Sequence, residues 1–103
     1  YKNTIMAIKK QFLKSKPVCK VTFTLPAVEA KGVVLIGSFN DWNEKATPLK
    51  KLKNGSFKTT LDLVTSNSYE FRYRVDGTYV NDEEADSYAW NDFAGTENCV
   101  LLL

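Results

Sequence analysis

Tyr69-Glu70-Phe71-Arg72-Tyr73-Arg74-Val75 alternates an apolar side chain with a charged one at every position. A repeat of two is the signature of a strand with one face on a core and the other on water. Tyr69, Phe71, Tyr73 and Val75 are therefore predicted to point inward, and Glu70, Arg72 and Arg74 outward. Asp76-Gly77 then turns the chain into a short strand, Thr78-Tyr79-Val80. Upstream, Val18–Leu25 repeats the pattern, with Cys19, Val21, Phe23 and Leu25 inward and Lys20, Thr22 and Thr24 outward. Phe57–Leu63 does so again after the turn Lys53-Asn54-Gly55-Ser56. Val33–Ile36 is apolar throughout, which predicts a strand too buried for a sheet edge. Ile8–Leu13 reads as an edge strand guarded by lysines, and Leu49–Leu52 as a brief one. Asn98–Leu103 closes the chain as a last apolar strand. Asn81–Thr96 reads as a long irregular loop, a kind that in small domains carries function or moves. No stretch holds a helical period, so six to eight short strands imply an all-β sandwich.

The 103 residues suit one domain. Residues 1–7 are assigned to a disordered or extraneous leader, because Met6 reads as a natural start, and 8–103 to the single β-sandwich domain. No apolar run reaches the ~18 residues of a membrane span. Without histidine, Ser-His-Asp and Cys-His catalysis and His-ligated zinc are excluded. Cys19 and Cys99, the only cysteines, read as small buried residues in a reducing, cytoplasmic compartment; a bond between the first and last strands is the alternative. Twelve of fourteen basic residues lie at or before Lys58. They are scattered without interleaved aromatics, so a solvated face is expected rather than a nucleic-acid site.

Gly37-Ser38-Phe39-Asn40-Asp41-Trp42-Asn43 breaks the Val33–Ile36 strand into a polar loop holding two rings. One ring can plug the interior while the other shows. A polar loop with an exposed tryptophan usually has a ligand for that ring. Tyr79, Trp90 and Phe93 add further aromatics; Trp90 reads equally well as a loop plug. A sugar offers an apolar face of C–H groups and a rim of hydroxyls. It calls for a flat ring plus amide or guanidinium donors, here Arg72, Arg74 and Asn98. Asp82, Glu83, Glu84, Asp86 and Asp92 read as a solvated acidic loop. They lack the cleft that glycoside hydrolysis needs and the spacing of a calcium loop.

The loop, with Pro48-Leu49, Gly55-Ser56-Phe57, Tyr69–Gly77 and Gly95-Thr96-Glu97-Asn98, resembles the glycogen- and starch-binding module at the N-terminus of isoamylases and branching enzymes. The same module occurs in the beta subunit of AMP-activated protein kinase. The likeness runs roughly from Val18 to Leu103. It implies an early-set immunoglobulin-like sandwich and a non-catalytic module for α-1,4-glucans, without cofactor or metal. By that resemblance Trp42 is the first stacking ring and Tyr79 the second. Arg72 stands where the kinase subunit has a hydroxyl-binding lysine, and Asn98 matches a hydroxyl-binding asparagine with Thr96 beside it. Ala94 departs from a supporting leucine that Phe93 or Trp90 would replace. The alternative is a sandwich that docks on a glycoside hydrolase or other protein and touches no sugar.

Overall fold

A computed structural model describes residues 7–26 and 29–103. Most of the assigned leader, residues 1–6, and the start of the Ala27–Gly32 connection lie outside the described residues. Among the described residues there are nine strands: β1 (Ala7–Phe12), β2 (Val18–Leu25), β3 (Val33–Gly37), β4 (Lys50–Lys51), β5 (Phe57–Val64), β6 (Ser68–Val75), β7 (Thr78–Val80), β8 (Ser87–Asn91) and β9 (Thr96–Leu102). They form two sheets, ordered β1-β2-β5-β4 and β3-β6-β9-β8, with β7 added to β6. Every pairing is antiparallel.

The inner faces are those the alternation predicts. Cys19, Val21, Phe23, Phe71, Tyr73, Cys99 and Leu101 are fully buried. The Phe71 ring meets Phe23 edge-on at 5.3 Å and Tyr73 at 5.8 Å, the geometry that aromatic quadrupoles favour. Each such ring contributes roughly 1.5–3 kcal/mol by leaving water. Phe39 is the plug of the Gly37–Asn43 loop: it packs on Phe23 and Tyr69. Both cysteines are buried and free.

The chain changes sheets between β3 and β4. Thr47 and Leu49 bond to the backbone of Leu35 and Val33, so this segment runs along the β3 edge before Lys50 and Lys51 join β5. Across β6, Phe71 pairs with Gly37 on one side and Cys99 on the other. Val75 pairs with Val33 and Thr78. Strands β7 and β9 therefore share one edge of β6, end to end, and bracket Arg72 on its outer face.

Two expectations are corrected. Asn81–Thr96 is not one irregular loop, because β8 lies within it and pairs with β9 from Ser87↔Val100 to Asn91↔Thr96. The strand escapes the alternation pattern because both Tyr88 and Trp90, its core-side positions, are exposed at the sheet edge. The acidic segment is not wholly solvated either. Asp82 is fully buried. Its carboxylate accepts bonds from the Tyr73 hydroxyl at 2.7 Å and the Glu84 amide at 2.7 Å. Its carbonyl accepts one from the Tyr88 hydroxyl at 2.6 Å. A buried carboxylate persists only when hydrogen-bonded in this way. Burial and Asp82 together raise the Tyr73 phenol far above its ordinary pKa, and burial pushes the Cys99 thiol up to about 11. Asp86 bonds to Lys10 Nζ and to the Leu102 amide, both at 2.7 Å, which ties the two sheets together at one end.

Candidate functional site

The outer face of the β3-β6-β9-β8 sheet carries a groove of about 570 Å³. Its floor begins with Ile36, on the outward side of β3 opposite Arg72. Ile36 is only 1% exposed yet lies outside the main core cluster. An apolar residue hidden on an outer face is hidden by something laid over that face, here the loop that follows β3.

That loop is held by its own polar side chains. Asn40 Oδ1 accepts the Gly37 amide at 3.0 Å. Asn40 Nδ2 donates to the Leu35 carbonyl and to Thr47 Oγ1, each at 3.0 Å. The Trp42 amide donates back to the Gly37 carbonyl at 2.9 Å. Between these ties Asp41 and Trp42 both adopt φ 57°, the left-handed region that disfavours a large side chain by roughly 1–2 kcal/mol. Such strain persists where surrounding bonds over-determine it, and it collects at functional sites. Trp42 emerges 39% exposed and lines the groove. Gly37 lets the loop start so close to β6. A Cβ there would stand 2.7 Å from the Glu70 carbonyl oxygen and 2.9 Å from Phe71 Cβ.

Tyr79 lines the same groove and is 41% exposed. Its hydroxyl donates to Glu44 Oε2 at 2.6 Å. That bond, with some burial, raises the phenol pKa. The Arg72 guanidinium carbon lies 5.0 Å from the Tyr79 ring centroid and that of Arg74 6.0 Å, a cation–π arrangement. Arg72 Nε donates to Asn81 Oδ1 at 3.0 Å. A guanidinium has five N–H donors, so its terminal nitrogens stay available to a ligand.

Phe93, Ala94, Asn91 and Asn98 form the opposite wall. Phe93 is fully exposed at the tip of the β8–β9 hairpin. Asn98 is only 3% exposed. Its Nδ2 donates to Glu70 Oε1 at 3.0 Å, and its Oδ1 accepts a long 3.5 Å bond from Asn91. Its amide is thus already partnered at the back of the groove. Thr96 faces outward beside Asn91 but does not line the groove. Trp90 pairs with Glu97, so strand alternation turns it away from the face that bears Asn91 and Asn98. It is 63% exposed, with Nε1 donating to Asp92 at 2.6 Å. Of the seven expected residues, Trp42, Tyr79, Arg72, Asn98 and Phe93 come together; Trp90 and Thr96 stand aside.

Ile36, Asn91, Glu44 and Asn81 belong to this site or support it and were not singled out by the sequence. The signal for Ile36 was present: a strand apolar on both sides must be covered on both sides. The signal for Asn91 was the Gly95 turn, which makes a hairpin of what precedes and follows it. Among the described residues no group of three His, Cys, Asp or Glu side chains is set to hold a metal ion, and no helix is long and apolar enough to cross a membrane.

Two packed antiparallel sheets with an aromatic-lined groove on one outer face define a small β-sandwich. The model of the carbohydrate-binding module 48 family, the isoamylase N-terminal domain, matches residues 12–89. The chain belongs to that family, one of binding modules rather than catalytic domains. The matched residues include Trp42, Arg72 and Tyr79 and stop before Phe93, Thr96 and Asn98. Among solved structures the chain is similar to the catalytic module of the multi-modular glycogen-degrading pneumococcal virulence factor SpuA, solved in complex with an inhibitor. The TM-score is 0.61 and the identity 21%, over all of this chain and 17% of that one. At this identity the likeness is one of fold, and the present chain spans about a sixth of that protein's solved length. No curated protein sequence matches.

Proposed function

We propose that this chain is a non-catalytic module that binds α-1,4-glucan of the glycogen or starch kind in the groove of the β3-β6-β9-β8 sheet. Trp42 and Tyr79 stack on glucose rings, Phe93 flanks the chain from the hairpin, and Arg72 donates to hydroxyls. The observation that carries the reading is the convergence of two half-exposed rings, 37 positions apart in sequence, onto one groove with an apolar floor. A flat apolar face beside fixed guanidinium donors matches the two surfaces of a sugar. Asn98, held by Glu70 and Asn91, bonds to sugar hydroxyls with its second N–H or its second lone pair. A reducing, cytoplasmic setting goes with this reading, since Cys19 and Cys99 are buried and unbridged. Service beside a glycoside hydrolase also goes with it, given the small share of the similar enzyme that the chain spans.

Open sites of this kind bind weakly, because few ring contacts must offset the ordering of a flexible chain. Calorimetry with maltoheptaose on the wild type and on Trp42→Ala is the test. The variant is expected to lose more than about tenfold in affinity, or 1.4 kcal/mol, with an unchanged unfolding temperature. Equal affinities would remove Trp42 from the site. A chain that runs unretarded through an amylose column would instead favour docking on a protein.

A further inference from the structure

The geometry points to Glu44 as the positioning residue that fixes the two stacking rings relative to one another, an inference that rests on the glucan reading of the groove. Glu44 lies two residues beyond Trp42, inside the turn that Asn43 closes by accepting the Lys45 amide at 2.8 Å on its side-chain oxygen. Its carboxylate divides between two partners on the neighbouring strands. Oε2 takes the Tyr79 hydroxyl at 2.6 Å, and Oε1 takes Arg74 Nη1 at 3.0 Å. Those partners face each other across the β6–β7 pairing, Arg74↔Tyr79. One carboxylate therefore joins the loop that carries the first ring to the strand that carries the second.

The Glu44 and Arg74 side chains are 48% and 37% exposed. An ion pair so wet adds little to folding stability. Its consequence is geometric. The Tyr79 ring is attached to its strand at one end, is bonded to Glu44 at its hydroxyl end, and has two guanidinium groups within 6.0 Å of its centroid. Without Glu44 the ring and the Trp42 loop would each regain rotational freedom that a glucan must then remove. Binding energy lost to that ordering is the general cost of a site that is not preorganised.

The test is calorimetry with maltoheptaose on the wild type, E44A, E44Q, Y79F and the double variant E44A/Y79F, with thermal unfolding of each. E44A and Y79F are each expected to weaken binding about five- to tenfold through lost preorganisation. The double variant is expected to lose no more than the weaker single variant, because both cut the same bond. E44Q keeps an acceptor oxygen for Tyr79 and is expected to recover most of the loss. Wild-type affinity in E44A overturns the inference. So do losses that multiply in the double variant, which would put Glu44 on the sugar itself. If E44A does not fold, E44Q and Y79F carry the comparison: an E44Q as weak as Y79F overturns it. A wild type with no affinity for maltoheptaose sinks the glucan reading alone. The clamp is then judged in the free protein, by the Tyr79 ring carbon signal followed against pH. Glu44 raises that phenol's pKa, so its titration is expected to move to lower pH in E44A, and an unmoved titration overturns the clamp.

Discussion

The two outer faces of this sandwich are built by the same alternation and end in opposite conditions. On the β1-β2-β5-β4 sheet, Lys20, Thr22 and Thr24 stand opposite Asp62, Thr60 and Lys58. The contacts there are slight: a Thr22–Thr60 hydroxyl bond of 3.1 Å and a loose Lys20–Asp62 pair at 3.9 Å. Lys50 even faces Lys58, a like-charge pairing that sheets normally avoid. On the β3-β6-β9-β8 sheet the outward residues are Ile36, Glu70, Arg72, Arg74 and Asn98, and Ile36 and Asn98 are buried. Glu70, Arg72, Arg74 and Asn98 are each bonded to a residue from another strand or loop. The first face is what a sheet looks like when its described outward side chains make few contacts with one another. The second is what it looks like when a loop and a hairpin are laid across it and leave a channel between them.

Truncation should separate the faces most clearly. Ile36→Ala is expected to cost about 2–4 kcal/mol, as for a core aliphatic, while Thr22→Ala on the other sheet stays within about 0.5 kcal/mol. Chemical denaturation of both variants measures this, and equal losses would mean that nothing covers the second face. Gly37→Ala comes next. Its new methyl has backbone on one side and Phe71 on the other, and overpacking of that kind costs about 1–3 kcal/mol. A domain of this size then melts roughly 4–8 °C lower for each kcal/mol. An unchanged melting temperature would show that the Trp42 loop can lift from β6 freely.

Acid should act on the seam between the sheets. Burial raises the Asp86 pKa, but the Leu102 amide and Lys10 outweigh it and hold the carboxyl below its usual range. A depressed folded-state pKa contributes stability above the unfolded value, about 3.9, that is lost as pH falls through the folded value. The melting temperature is therefore expected to drop below about pH 4, and Asp86→Asn to flatten that drop. A variant with the wild-type acid profile would remove the seam from the account. The smallest effect has the opposite sign. Lys50→Glu replaces a like pair with an opposite one and is expected to stabilise by a few tenths of a kcal/mol, about 0.2–1 at most. A destabilised variant would show that the first face has a partner that needs those lysines.

The same contrast explains what could be read without coordinates. β2 and β6 were legible because one side of each meets a packed interior and their residues alternate accordingly. β8 was not, because Tyr88 and Trp90 occupy its inner positions at an edge where little covers them. Trp42 and Tyr79 were legible as rings without a core to fill, while the acidic run 82–86 concealed Asp82. The hydroxyl of Tyr73, delivered from β6, and the Glu84 amide supply the hydrogen bonds that a buried carboxyl group needs there. Glu44 was invisible for a related reason: its partners lie 30 and 35 residues away in sequence, and no local pattern announces such a meeting.

Asp82 has a further consequence. It anchors the short crossing from β7 to β8 at three places: to Tyr73 in the interior, to Tyr88 on β8, and through its amide to Cys99 Sγ at 3.1 Å. The root of the β8–β9 hairpin is thereby nailed down within a few residues of where it begins. Its free end, from Asp92 to Gly95, is tied back through its own hairpin, with Asn91 accepting the Ala94 and Gly95 amides and Trp90 donating to Asp92. A family of carbohydrate-binding modules has, in that fingertip, a part to vary while the palm stays the same.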